Sequence, residues 1–255
     1  MTTEYTRPLQ RVMGVLGGLG PEATIDFLSK IVALTPAEVD QDHLHFIVDC
    51  NPKVPNRNNA ISGVGPSPGP ALAAMAQRLQ RAGAEFLVMV CNTAHAFEED
   101  IRAATSLPFV SIIKETDDEI RREFPQVTRV GVLAAQGCLD ARLYDKTLAS
   151  RGCTVVTLEQ SDQRACMELI YRIKAGDRDS EVRAGVRRLG ERLVACGAEV
   201  VIAGCTEIPL VLADGYLSRP LIDSTEVLAR RSIRYALNEE PLPQHAFSTS
   251  LEHAS

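Results

Sequence analysis

The chain carries one phrase twice, and each copy ends on a cysteine. Leu79-Gln-Arg-Ala-Gly83-Ala84-Glu85-Phe-Leu-Val-Met-Val-Cys91-Asn92-Thr93 returns as Leu193-Val-Ala-Cys-Gly197-Ala198-Glu199-Val-Val-Ile-Ala-Gly-Cys205-Thr206-Glu207. Leu79 to Leu193, Gly83 to Gly197 and Cys91 to Cys205 are each separated by 114 positions. Two further segments repeat in the same order: Arg11 to Leu16 matches Arg129 to Leu133, with Gly14 on Gly131, and Ser106 to Val110 matches Ser218 to Ile222. Such a chain is a duplicated unit, and whatever one half folds into the other must fold into as well.

Within each half, short apolar runs rich in β-branched residues alternate with segments of helical period. That pattern predicts a parallel sheet covered by helices, an α/β fold built twice as two pseudo-symmetric domains. Strands are expected over 11–16, 45–50, 86–90 and 108–111. Helices are expected over 23–33, with Ile25, Leu28, Ile31 and Val32 as apolar positions, and over 71–82. Pro21 suits the first helical position. Residues 51–57 and the Gly/Ser/Pro-rich 61–70 read as loops. The matched helices 115–124 and 225–237 follow the last strand of each unit. The domain reading is 1–112 plus 225–240 for the unit carrying Cys91, and 113–224 for the unit carrying Cys205. A frayed start over 1–10 and a loose tail over 241–255 complete it. Right-handed crossovers bring all strand C-termini to one edge, so both cysteines belong on a ligand-binding edge and face a cleft between the domains.

Composition narrows the function classes. A net charge of -6 gives no reason to expect nucleic acid or an anionic membrane as partner, and means an anionic small molecule must be captured by local groups. No basic segment precedes an apolar run at the start, and no run approaches the ~20 residues of a membrane span, so the expectation is a cytoplasmic protein. Seven cysteines, an odd number without a CxxC pair, point away from a disulfide framework and from a metal site.

Equivalent thiols at equivalent strand ends suit a two-sided proton transfer. Inverting a carbon acid needs a base on one face and an acid on the other, and a thiolate with a thiol can exchange those roles. Free cysteine titrates near ~8.5, so the base must be shifted toward thiolate. Backbone N–H groups at a strand-to-helix turn, with a Thr capping the helix, are expected to supply that shift. The plainer alternative is that Cys91 and Cys205 are small buried hydrophobes, which is how Cys153, Cys166 and Cys196 are read.

With the cysteines placed, the chain resembles the aspartate/glutamate racemase family of pyridoxal-phosphate-independent enzymes. The carrying residues are Gly17-Gly18-Leu19-Gly20-Pro-Glu-Ala-Thr24, Val54-Pro-Asn-Arg57, Cys91-Asn92-Thr93-Ala-His95, Ile173-Lys174-Ala-Gly176 and Gly204-Cys205-Thr206-Glu207-Ile-Pro209, which span 11 to about 237. The resemblance implies an amino-acid racemase that needs no cofactor, with Cys91 and Cys205 as the acid/base pair. It implies that Asn92, Thr93 and Thr206 hold the α-carboxylate or amino group, that Arg57 and Lys174 bind carboxylate, and that the protein is a homodimer. Gly18 and Leu19 belong to the same substrate-facing turn. Relatives in the superfamily isomerise dicarboxylates such as maleate or racemise hydantoins. A noncatalytic ligand-binding protein on the same cleft is the alternative outside enzymology. One departure stands out: Ala135-Gln-Gly-Cys138 replaces a Thr-x-x-Thr pattern, which removes two hydroxyl donors and leaves the substrate's side chain open, with Cys138 near the cleft as weak donor or packing.

Other features have competing readings. Gly18-Leu-Gly20-Pro-Glu-Ala23 fits the degenerate dinucleotide pattern weakly, but Pro21 removes an N–H that would cradle a pyrophosphate. Arg57 reads equally as a solvated loop arginine and Lys174 as a cation at a helix end. His95 either tunes Cys91 or caps a carbonyl, and Glu207 either stabilises a helix start or meets the substrate's ammonium.

Overall fold

A computed structural model describes residues 10–244. The first half runs β1 (Met13–Gly17), α1 (Pro21–Leu34), β2 (Phe46–Cys50), α2 (Arg57–Ile61), α3 (Gly69–Arg81), β3 (Phe86–Met89), α4 (Glu98–Ala104), β4 (Phe109–Val110) and α5 (Ile112–Glu123). The second runs β5 (Arg129–Leu133), α6 (Gln136–Asp140), α7 (Leu143–Ala149), β6 (Thr154–Val156), α8 (Gln160–Lys174), α9 (Ser180–Ala195), β7 (Val200–Ala203), β8 (Leu221–Asp223) and α10 (Ser224–Ala236). Each half is a wholly parallel four-stranded sheet, in the orders β2-β1-β3-β4 and β6-β5-β7-β8. The α/β class and the duplicated sheet are therefore as the repeat requires. Among the described residues no helix is long and apolar enough to cross a membrane. Apart from residue 10 and residues 241–244, the expected frayed start and loose tail lie outside the described residues.

The repeated phrase proves to be mostly scaffold. Its glycine ends a helix with positive φ, 98° at Gly83 and 93° at Gly197, a conformation that side chains resist. Its alanine packs over the first strand of the half. A Cβ on Gly14 would stand 2.8 Å from that of Ala84, and one on Gly131 would stand 2.9 Å from that of Ala198. Its glutamate accepts a backbone N–H at the start of the same strand, Val12 to Glu85 at 2.7 Å and Arg129 to Glu199 at 2.8 Å. Only the cysteine and the two residues after it reach the ligand edge.

Strand residues alternate between two cores. Val15, Phe86 and Val88 of the first sheet and Val130, Val132 and Ile202 of the second join α5 and α10 in one core shared by the halves. Leu16, Leu87 and Met89 face a core private to the first half; Leu133, Val201 and Ala203 face one private to the second. α10 lies against α1 and α5, and α5 lies against α7, so the helices that follow each sheet cross over to the other half.

Two local expectations are corrected. On α1 the buried residues are Ala23, Thr24, Phe27 and Ile31, while Ile25 is 63% and Val32 49% exposed. Small residues at 23 and 24 let the helix lie close to β1, where a Cβ on Gly17 would meet Thr24 at 2.5 Å, and this seats Phe27 inward. Arg57 does not close a loop but opens α2, because the Asn56 side chain accepts from Asn58 N–H at 2.9 Å and Asn59 N–H at 3.2 Å.

Candidate active site

Cys91 follows β3 and Cys205 follows β7, the equivalent strands of the two sheets, and both line one cavity between the halves. Leu19, Arg57, Asn92, Thr93, Lys174, Thr206 and Glu207 line it too. Of the residues singled out in the sequence, Gly18, His95 and Cys138 are not on its wall. Gly18 shapes the turn beneath it, donating its N–H to Thr24 Oγ1 at 2.9 Å. Cys138 is 1% exposed, and burial, then the neighbouring Cys91, push its thiol far above the ordinary range. Sequence reasoning missed Asn58 and Ile170 on the wall, and noted Ala135 only as a departure.

The thiols are less alike than the repeat suggests. Neither is followed by a capped α-helix: the segments after them are single 3-10 turns, Thr93–Phe97 and Ile208–Leu210, without side-chain caps. The expected shift of both toward thiolate therefore fails for Cys205. Burial, then the Glu207 carboxylate, push its thiol well above the ordinary range, against the opposing pull of Lys174. Cys205 Sγ donates to Glu207 Oε2 at 3.0 Å, and Lys174 Nζ bonds Glu207 Oε1. Lys174 stays protonated because Glu207 and both cysteines outweigh the cost of its burial.

Around Cys91 the fixing is done through the backbone. His95 Nδ1 lies 2.8 Å from the Cys91 carbonyl, while Nε2 accepts the Ile112 N–H at 3.2 Å. The second bond leaves the proton on Nδ1, so His95 caps the carbonyl as a neutral imidazole and does not touch the thiol. Asn92 is 1% exposed; its amide donates to Ser224 Oγ at 3.1 Å, and its oxygen accepts from Tyr144 at 2.5 Å. Both ends of Asn92 are thus tied to the second half. Arg57 donates to the carbonyls of Leu19 at 2.6 Å, Pro55 at 2.9 Å and Val54 at 3.2 Å, which clamps the glycine turn to the loop before α2.

The halves also meet through two polar contacts. Gly137 N–H donates to Asn58 Oδ1 at 2.8 Å, and Arg178 pairs with Glu22 at 2.6 Å. What remains inside is a cavity of about 20 Å3, room for one water and not for an amino acid. An amino acid fits here only if the lining moves.

Two parallel sheets, duplicated and turned ligand edge to ligand edge with a cysteine from each, define the two-lobed α/β class with a thiol on either wall of the cleft. A family model described as Asp/Glu/Hydantoin racemase matches residues 16–231, and the chain belongs to that family. The broad specificity amino-acid racemase RacX of Bacillus subtilis (strain 168) is 28% identical over 226 residues, covering 87% of this chain and 96% of that protein. The solved aspartate racemase of Picrophilus torridus superposes with a TM-score of 0.80 at 26% identity, covering 91% of this chain and 96% of that one. An aspartate racemase homologue from Pyrococcus horikoshii OT3 superposes with a TM-score of 0.70 at 26% identity, covering 89% and 99%.

Proposed function

We propose that this protein is an amino-acid racemase that interconverts L and D enantiomers with Cys91 and Cys205 as alternating base and acid. The observation that carries the reading is the meeting of two sequence-equivalent cysteines on the wall of one small cavity between the halves. Substrate would lie with its α-carbon between the sulfurs. One thiolate removes the α-proton while the opposite thiol delivers a proton to the other face, and closure strengthens the base by desolvating it. Lys174, with Thr93 and Thr206 beside it, supplies the positive and hydroxyl groups for the α-carboxylate. Arg57 is expected to act on substrate through the loop it clamps, because three carbonyls already hold its guanidinium. The reading includes two domains, 1–112 with 225–240 and 113–224, hinged through α5 and α10. It also includes a homodimer working in the cytoplasm, where thiols stay reduced.

The test is proton NMR in D2O with single-enantiomer amino acids, beginning with aspartate and glutamate. Loss of the α-proton signal with appearance of the other enantiomer is expected for the wild type. Cys91→Ser and Cys205→Ser should each lower the rate by at least about 10³-fold, since each removes an acid/base group. A persistent α-proton across the panel would sink the amino-acid reading.

A further inference from the structure

The two halves match through their cysteines and then part. The 114-residue offset sets Thr93 opposite Glu207, so only Cys205 is followed two residues on by a carboxylate. Glu207 is 3% exposed. Its Oε2 accepts the Cys205 thiol at 3.0 Å and faces the Thr206 hydroxyl at 3.4 Å, while Lys174 holds Oε1. The glycine turn of the first half closes over this group. A Cβ on Gly20 would stand 2.3 Å from Glu207 Oε1 and 3.3 Å from Lys174 Nζ. Cys91 meets a different surrounding: its carbonyl is pinned by neutral His95, and Thr93 stands where Glu207 would be. The other charged groups facing this space are Lys174, whose ammonium acts on both thiols, and Arg57, whose guanidinium is turned to backbone carbonyls.

We infer that Glu207 is a positioning residue that holds Cys205 as the protonated thiol in the free protein, so that Cys205 is poised to give a proton and the resting protein engages the hand of substrate whose α-proton faces Cys91. The direction of turnover rests on the racemase reading; the protonation of Cys205 does not. A carboxylate at hydrogen-bond distance accepts S–H and repels S⁻, so it favours the thiol on both counts. Cys91 thiolate takes the α-proton as one C–H bond breaks. Cys205 then gives its proton to the opposite face as the new C–H bond forms, so no proton is gained or lost overall. The product leaves Cys205 as a thiolate beside Glu207. That is the less stable arrangement, and it takes a proton back from solvent while Cys91 releases one.

The experiment is peptide-resolved alkylation of the full chain by iodoacetamide, read by mass spectrometry across a pH series. Midpoints of rate against pH report each thiol separately from its accessibility. In the wild type the midpoint for Cys91 should fall below that for Cys205. In Glu207→Gln the Cys205 midpoint should drop by at least about one unit, about ten-fold faster labelling at a fixed pH below it, with the Cys91 midpoint unmoved. Glu207→Asp, which keeps the charge, should lie between. An unmoved Cys205 midpoint in Glu207→Gln overturns the inference, as does a wild-type Cys205 midpoint at or below that of Cys91, which needs no variant to fold. Labelling needs no turnover, so silent α-proton exchange with the expected midpoints would sink the racemase reading alone.

Discussion

His95 is held as a neutral imidazole between the carbonyl of Cys91 and the N–H of Ile112. Burial, outweighing the pull of Glu98, keeps its pKa below the ordinary histidine value. The unfolded chain therefore binds a proton that the folded chain refuses. Stability from this residue is full above about pH 6.5 and is lost as pH falls below it. His95→Leu leaves a buried N–H and carbonyl without partners and should cost about 1–3 kcal/mol at pH 7.5. Urea titrations should show the gap between wild type and variant narrowing toward pH 5; a gap constant with pH would refute the assignment. The cysteines, Arg57 and Lys174 were legible in the sequence because a repeat or a local motif marked them. Asn58, Tyr144 and Ser224 were not. Tyr144 lies 52 positions and Ser224 lies 132 positions from the Asn92 they hold, and no local pattern signals such contacts.

At the scale of elements, β1, β3 and β7 were legible because they are buried along their whole length on both faces, which requires uninterrupted apolar runs. α1 was harder, since its sequence carries two apolar stripes. Phe27 and Ile31 share one with the small Ala23 and Thr24; Ile25 and Val32 share the other. Chain composition alone does not rank them, and close approach to β1 selects the stripe with the small residues. Phe27→Ala should therefore cost about 3–5 kcal/mol, with a cavity left in the shared core. Ile25→Ala and Val32→Ala should each stay within about 0.5 kcal/mol. Chemical denaturation of the three variants decides the matter, and an Ile25 cost near that of Phe27 would mean that this face is covered in solution.

For the whole molecule the governing feature is closure. The site is nearly filled by its own walls, and away from its lining Arg178 pairs with Glu22 across the two halves. These side chains are 31% and 47% exposed, so solvent screens the pair and its contribution to closure should stay below about 1 kcal/mol. Arg178→Ala should speed labelling of Cys91 and Cys205 together by no more than about five-fold, with little change in melting temperature. No change in labelling would place the gate instead at Asn58 and Gly137, where the bond is from a backbone N–H.

The sequence by itself determined the duplicated α/β unit and the cysteine at the end of the third strand of each half. Period, burial of strands and the Gly-Ala-Glu phrase are local constraints written twice. Tertiary structure alone decided how the two thiols differ. A carboxylate two residues along the chain is bonded to one sulfur, a histidine four residues along turns to a carbonyl, and the glycine turn of one half seals the ion pair of the other. Those outcomes depend on which groups lose their water when the halves close, and desolvation is a property of the packed molecule that a local stretch of chain does not carry.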